Sequence, residues 1–203
     1  MKTRLLLIAL LASCSVFCQE DVELDINEWN NDFYEKYTIG EFIKLDIIHQ
    51  RIDTENIDYK LFNAAIFYYT NIQRVKNNRL PFQHSIALEK AAFEHSKDMV
   101  LRNFFSHTSP IKGKKSMSDR LSIVGVNNGY RAENIAINFD KSPTYSSLAL
   151  KLVEQWMTSK GHRENILNEK YNYLGCGVYY YVDEDWGESY HFKSTQNFFS
   201  GND

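Results

Sequence analysis

The sequence contains little glycine, proline and cysteine: 9 Gly, 3 Pro and 3 Cys in 203 residues. Together with a hydrophobic content of 43%, this scarcity excludes a collagen, a low-complexity repeat and a disordered chain. A chain of this length suits one domain with a real core and is too short for two ordinary domains. The formal net charge is only −3, which predicts no nucleic-acid partner, because such proteins favour a basic face.

Long hydrophobic runs are also absent, apart from a short one near the start of the chain. Residues 1–18 combine a basic start with an apolar run, which is typical of an export signal peptide. The run is too short to span a bilayer as a helix, and no later segment is long and apolar enough. The sequence therefore predicts an exported protein without a transmembrane segment. Cleavage after Cys18 would leave a free secreted protein, which we favour, whereas residues 11–14 resemble a bacterial lipobox that would anchor a lipoprotein in the cell envelope through Cys14.

Cysteine is scarcer still in the exported part of the chain, because two of the three cysteines lie in the predicted signal peptide. The remaining Cys176 cannot form an internal disulfide. It lies inside a strand pattern, so we interpret it as a small buried hydrophobic residue and not as a nucleophile. The 13 Tyr, 13 Phe and 3 Trp instead predict a core held by aromatic packing.

Residues 19–58 carry mixed apolar and charged residues without a linker after them, and we predict an N-terminal extension of short helices. From Tyr59 onward the pattern sharpens into the main domain, residues 59–203. Apolar residues at helical spacing predict a helix that ends at residues 77–78 and a second that is capped by Ser85. Ser116 with Asp119 predicts a capped short helix, and a third long helix is expected to stop at residues 160–161, with Gly161 as its C-cap.

Strand patterns occur at 132–137, 174–182 and 189–199, the last two joined by a polar turn at 183–188. Helices on either side of these strands predict an α+β fold: a three-layer α-β-α sandwich with a small antiparallel sheet between the helices.

Three side chains at the ends of these predicted elements are candidates for chemistry: His107, Glu133 and His162. Two imidazoles and a carboxylate suit Zn²⁺, and the same groups suit general acid/base catalysis. The chain has no H-E-x-x-H or CxxC motif and no G-x-S-x-G elbow beside its serines. Ordinary capping and loop hydrogen bonds therefore remain the alternative, with Arg120 or Arg163 as the charge partner of Glu133. His95, on the apolar stripe of the second helix, is interpreted as a core histidine.

Seven short motifs occur in a characteristic order between Leu61 and Phe199. They are Asn71-x-x-Arg74, a Leu88 to Met99 helix motif, Phe104-Phe105-Ser106-His107, Ala132-Glu133-Asn134-Ile135, Trp156-x-x-Ser159-x-Gly161-His162-Arg163, Tyr173-x-Gly175-x-Gly177 and Thr195-Gln196-Asn197-Phe198. In this order they resemble the CAP superfamily of cysteine-rich secretory, antigen 5 and pathogenesis-related proteins, whose domain is also called SCP. The string around His162 is similar to the bacterial branch.

This resemblance implies a sandwich with a cleft lined by two histidines and two acidic residues, in which the histidine pair can hold a divalent metal such as zinc. His107, Glu133 and His162 match three of the four positions, and His107 and His162 are the implied metal ligands. The fourth position is Ser159 here instead of Glu. The incomplete set removes one possible metal partner and half of any paired-carboxylate mechanism.

Three functions stay open at this point. The favoured one is an exported binding module with a polar His/Glu cleft, taking a small molecule, a lipid or a protein as its ligand. The second is a metal- or Ser-dependent, peptidase-like hydrolase that uses the same cleft. The third is a structural or adhesion domain without an active cleft, in which exposed aromatic residues bind the partner.

Overall fold

A computed structural model describes residues 29–182 and 189–201 of the chain. The predicted signal peptide, the candidate lipid anchor Cys14 and the predicted turn at 183–188 lie outside the described residues. Within those residues, no helix combines the length and the apolar character that crossing a bilayer requires.

Helices and strands are interspersed along the described residues. The helices are α1 (Asp32–Lys36), α2 (Ile39–Phe42), α3 (Tyr59–Lys76), α4 (Ile86–Leu101), α5 (Met117–Ile123), α6 (Tyr145–Thr158) and α7 (Lys160–Leu167), with a 3₁₀ turn at Asp46–His49. The strands are β1 (Gln83–His84), β2 (Tyr130–Asp140), β3 (Tyr173–Val182) and β4 (Tyr190–Ser200).

Side-chain caps fix where two of the helices begin. The Ser85 hydroxyl accepts a hydrogen bond from the Leu88 amide at the start of α4. Ser116 and Asp119 form a reciprocal capping box at the start of α5. Both caps were predicted from the sequence and are confirmed. Each satisfies backbone N–H groups that the first helical turn would otherwise leave without a partner.

The four strands form one sheet in the order β1-β3-β4-β2. β3 and β4 form the predicted antiparallel hairpin, and β2 pairs with β4 along its whole length. β2 is therefore longer than the predicted 132–137. The two-residue β1 pairs in parallel with the start of β3 and was not predicted, because two residues are too short to show a strand period.

Helices cover both faces of the sheet, so the predicted three-layer sandwich is confirmed. On one face, α4 packs so closely that a Cβ at Gly175 or Gly177 would collide with the α4 backbone. On the other face, the Gln196 side chain of β4 donates to the Thr70 hydroxyl of α3 at 2.7 Å. Glycine at the two β3 positions is what permits the close approach of helix and sheet.

The core is aromatic and contains the single free thiol of the described chain. Trp156, Tyr179 and Phe192 are among its largest fully buried side chains, and the rings of Phe62 and Phe192 meet edge to face at 5.5 Å. Cys176 is 1% exposed, and burial raises the pKa of its thiol well above the usual range. The interpretation of Cys176 as a small buried hydrophobic residue is confirmed.

One predicted helix end is wrong. Gly161 does not cap the third long helix: α6 ends at Thr158, and Gly161 lies inside α7. The break comes at Ser159, whose extended backbone (φ −87°, ψ 122°) ends α6 and begins α7. An extended residue between two helices changes the chain direction without a left-handed glycine. His162 consequently lies in the first turn of α7 and not in a loop.

Candidate functional site

The carboxylate of Glu133, on β2, joins three separate segments of the chain. One oxygen, Oε2, accepts a 2.6 Å hydrogen bond from the Arg120 guanidinium of α5. The other, Oε1, is 2.8 Å from Nδ1 of His107, in the loop after α4. The Glu133 and Arg120 side chains are only 4% and 3% exposed. Of the two arginines considered from the sequence, Arg120 is the charge partner.

Arg120 also holds the loop that carries His107. Its guanidinium donates to the backbone carbonyls of His107 at 3.3 Å and Lys114 at 3.2 Å. A planar guanidinium can satisfy several acceptors at once in a fixed geometry. The same side chain therefore fixes the Glu133 carboxylate and the backbone of His107.

The hydrogen bond to Glu133 decides which ring nitrogen of His107 remains free to bind a ligand. A carboxylate only accepts, so Nδ1 of His107 is the donor and, in the neutral ring, Nε2 keeps its lone pair. The His107 side chain is 55% exposed. Burial alone would raise the pKa of Glu133, but the hydrogen bond from His107 and the charge of Arg120 outweigh it, and the pKa is lowered. Glu133 is thus an ionised carboxylate at neutral pH, oriented on the imidazole.

His162 approaches the same region from α7. Its side chain is partly buried, and burial, followed by the charge of nearby His107, lowers the pKa of its imidazole. The ring is therefore neutral near pH 7. The effect of His107 on His162 means that the two imidazoles are electrostatic neighbours, although they come from chain segments 55 residues apart.

Buried Asn134 fixes the start of α7 against the sheet. Its amide donates to the backbone carbonyl of His162 at 3.2 Å and to the Gln196 side chain at 3.1 Å. Its oxygen accepts from Asn165 at 2.9 Å. Successive β2 residues, Glu133 and Asn134, thus position the two histidines separately, one through its side chain and the other through its backbone.

Ser159 lies at the junction of α6 and α7, and its side chain makes no cap hydrogen bond there. The structure therefore brings His107, Glu133 and His162 into one region, while Ser159 contributes a backbone turn. Ser159, at the position where the family resemblance implies an acid, therefore adds no carboxylate to this region.

His95 is an addition to the site that sequence reasoning did not identify. Its ring on α4 is fully buried, and Nε2 lies 3.1 Å from the Ser106 carbonyl and 3.9 Å from Oε1 of Glu133. Burial lowers the pKa of His95 to about 4, so the ring is neutral. The helical stripe indicated a core histidine, and nothing in the linear sequence indicated that the ring lies behind Glu133.

The side chains of this region limit which ligands or metal ions it could bind. Across residues 29–182 and 189–201, no group of three or more His, Cys, Asp or Glu side chains is arranged to hold a metal ion. Both Glu133 oxygens are already engaged, by Arg120 and His107. The protein therefore offers the imidazoles of His107 and His162, supported by a carboxylate, which suit a weakly held cation, a polar ligand or proton transfer.

Comparison with known proteins agrees with this fold. Residues 67–198 match the CAP family, described as the cysteine-rich secretory protein family. The chain is 38% identical over 149 residues to the Bacillus subtilis (strain 168) protein YlbC, described as an uncharacterized membrane protein, covering 71% of this chain and 39% of YlbC. It is 37% identical over 116 residues to the uncharacterized protein YkwD of the same strain, covering 57% of this chain and 42% of YkwD.

Among solved structures, an extracellular protein containing an SCP domain from Bacillus anthracis str. Ames is 33% identical. It superposes with a TM-score of 0.56 and covers 70% of this chain and 41% of that chain. The protein described here belongs to the CAP family, in its bacterial form, as the sequence motifs predicted. It spans about two-fifths of the length of the two curated relatives.

Proposed function

We propose that this protein is an extracellular binding module whose polar cleft captures its ligand through His107 and His162. The observation that carries the proposal is the hydrogen bond from Nδ1 of His107 to Glu133, at 2.8 Å, which in the neutral ring leaves Nε2 as the acceptor of a side chain that is 55% exposed. The predicted signal peptide and the extracellular relative from Bacillus anthracis support the location.

The same two imidazoles are our candidates to hold a divalent cation such as Zn²⁺. Zinc accepts neutral imidazole nitrogen, and a hydrogen-bonded carboxylate behind the ligand raises its basicity. A bound zinc ion would supply a Lewis acid with open positions for ligand or water. His107 and His162 would hold the ion, while Glu133 keeps His107 in the required tautomer.

Calorimetric titration of Zn²⁺ into the metal-stripped protein tests this proposal. We expect about one ion per chain, and loss of that binding in His107→Ala/His162→Ala, because the two imidazoles supply the only proposed protein ligands. His49→Ala is the matched control: His49 is exposed on the 3₁₀ turn and belongs to no proposed site. Binding that persists unchanged in the double variant would remove the histidine pair from the proposal.

A hydrolase is the second candidate, since an imidazole held by a carboxylate is also the arrangement of a general base. The adjacent Ser106 hydroxyl is a weak candidate for the nucleophile, because it accepts the Thr108 amide at 3.1 Å in a local turn. We therefore favour binding. Turnover of a peptide library that disappears in His107→Ala would instead establish the hydrolase.

A further inference from the structure

A buried lysine, Lys193 of β4, lies on the same face of the sheet as Glu133 but far along it. Lys193 is 6% exposed and pairs in register with Ile137 of β2. Glu133 pairs with Asn197, four residues further along β4. Four residues of a strand span about 13 Å, so Lys193 is too far from the Glu133 carboxylate to contact it.

The ammonium group of Lys193 holds the C-terminal end of α4. Its Nζ donates to the backbone carbonyls of Met99 at 2.8 Å and Phe104 at 3.1 Å. The last carbonyls of a helix lack intrahelical partners and favour a cation. The helix is closed there by a Schellman motif, in which the Phe104 amide donates to Met99 at 3.0 Å and Asn103 has a left-handed backbone with φ 48°. The loop that leads to His107 therefore starts from a fixed point.

Three buried side chains from three different elements each donate to a carbonyl of the loop 104–107. The pairs are Lys193 with Phe104, His95 with Ser106 at 3.1 Å, and Arg120 with His107 at 3.3 Å. A carbonyl only accepts, so the proton in the neutral ring of His95 is on Nε2. Because the loop is held at both ends and between them, the backbone of His107 has little freedom to carry its ring away from Glu133.

The burial of a charged amine at position 193 is costly for packing alone. Moving an ammonium group out of water is unfavourable unless it is hydrogen-bonded, and an apolar side chain of similar volume often replaces a buried charge without loss of stability. What a methionine could not supply is direction: Nζ lies over the Tyr181 ring, at 5.1 Å, and binds two carbonyls at once. The lysine thus specifies where the loop begins.

We propose that Lys193 is a positioning residue for His107, acting together with His95. The two side chains fix the first and third residues of the loop 104–107, so that Nδ1 of His107 stays on Glu133 and Nε2 remains the nitrogen available to a ligand. The use of that nitrogen by a ligand rests on the proposed function. The orientation of the ring does not, and it can be measured without any ligand.

Nitrogen NMR of the metal-free protein, labelled with ¹⁵N-histidine and kept at a pH where the His107 ring is neutral, tests the proposal. The His107 signals are assigned by their loss in His107→Ala. In the parent, the two shifts should show that Nδ1 is protonated and Nε2 is not. In Lys193→Met the two shifts should move toward each other, because the freed loop lets the ring exchange between tautomers.

Lys151→Met is the matched control for this measurement. Lys151 also donates to a backbone carbonyl of the sheet, that of Phe139 at 2.6 Å, but it lies on α6, away from the loop 104–107. Its replacement should leave the His107 signals as in the parent. Parental His107 signals in folded Lys193→Met would overturn the proposal, because the lysine would then only stabilise the fold.

Two variants of His95 keep the test decisive if Lys193→Met does not fold. His95→Phe keeps a ring but loses the donor to the Ser106 carbonyl, whereas His95→Gln keeps a donor. We expect mixed tautomers of His107 in His95→Phe and the parental signals in His95→Gln. The same His107 spectrum in both variants would contradict a loop that is positioned through its carbonyls.

Zinc titration separates this proposal from the proposed function. If the histidine pair binds zinc, Lys193→Met should weaken the binding about tenfold, the low end of the range for losing a contact that supports a metal ligand. Zinc binding of parental strength in that variant would count against the positioning role. If the parent binds no zinc, the metal part of the proposed function fails, and the His107 spectra still decide the role of Lys193.

Discussion

The buried imidazole of His95 should give the stability of the fold a specific dependence on pH. Burial lowers the pKa of His95 to about 4 in the folded protein, whereas an unfolded chain has a histidine pKa of about 6.5. Between these values the unfolded state binds more protons than the folded state. The stability from neutral His95 is therefore fully present above about pH 6.5 and is lost as the pH falls through the folded pKa of about 4.

The size of this effect follows from the two pKa values of His95. Their difference corresponds to about 3 kcal/mol, because one pKa unit is about 1.4 kcal/mol of differential interaction. Glu133 also makes the folded state less stable as the pH falls, over a lower pH range than His95. Its pKa is lowered, so protonation of that carboxylate is unfavourable in the folded state. A variant of His95 is needed to separate the two contributions.

Urea unfolding of the parent and of His95→Gln between pH 7 and pH 4 measures the difference. Glutamine keeps a donor for the Ser106 carbonyl but does not titrate. We expect the parent to lose up to about 3 kcal/mol more than the variant over this range, while the control His49→Gln follows the parent. Parallel pH profiles for parent and His95→Gln would refute the reasoning, because they would mean that His95 is protonated equally easily in both states.

Two further predictions concern buried groups. Arg120→Met should lower the free energy of unfolding, measured in urea titrations, by about 3–5 kcal/mol, because it leaves the Glu133 carboxylate buried without its cation. A loss below about 1 kcal/mol would contradict a buried ion pair. In a chain that begins at Gln19 and so keeps only Cys176, no thiol should react in the native protein and one should react in urea, because the thiol is buried and its pKa is raised. Fast reaction of the native protein would show that the β3 strand is accessible.

Local sequence patterns were sufficient to predict the helices, caps and hairpin that depend on neighbouring residues. The apolar stripes of α3 and α4, the Ser85 cap and the β3–β4 hairpin follow from periodicity and turn chemistry. The Gly161 prediction was wrong because glycine is only a frequent C-cap, and an extended Ser159 ends the helix equally well. β1 was missed because a two-residue strand is defined by its partner β3 and not by its own residues.

The candidate site was predictable only in part, because some of its contacts join residues that are not neighbours in the sequence. His107, Glu133 and His162 were conspicuous as polar residues at element ends, and the family motifs then matched the same three positions. Arg120 was one of two arginines that the sequence offered as the charge partner of Glu133, and only the 2.6 Å contact in the structure selects it. The place of His95 behind Glu133 depends on a contact between residues 38 positions apart in the sequence. A histidine on an apolar helical stripe has a more common local explanation, which is a core position.

The site lies on a strand at the edge of the sheet, and contacts from α6 protect that edge. β2 is an edge strand, and an open edge readily pairs with another chain. Three α6 side chains bind successive outward carbonyls of β2: Trp156 binds Ile135, Gln155 binds Ile137 and Lys151 binds Phe139, at 3.2, 3.4 and 2.6 Å. These contacts occupy the edge beyond Asn134, while Glu133 lies before the first of them. The strand is thus protected from pairing by contacts that lie away from Glu133, and the His107 imidazole that the buried Glu133 carboxylate orients stays 55% exposed.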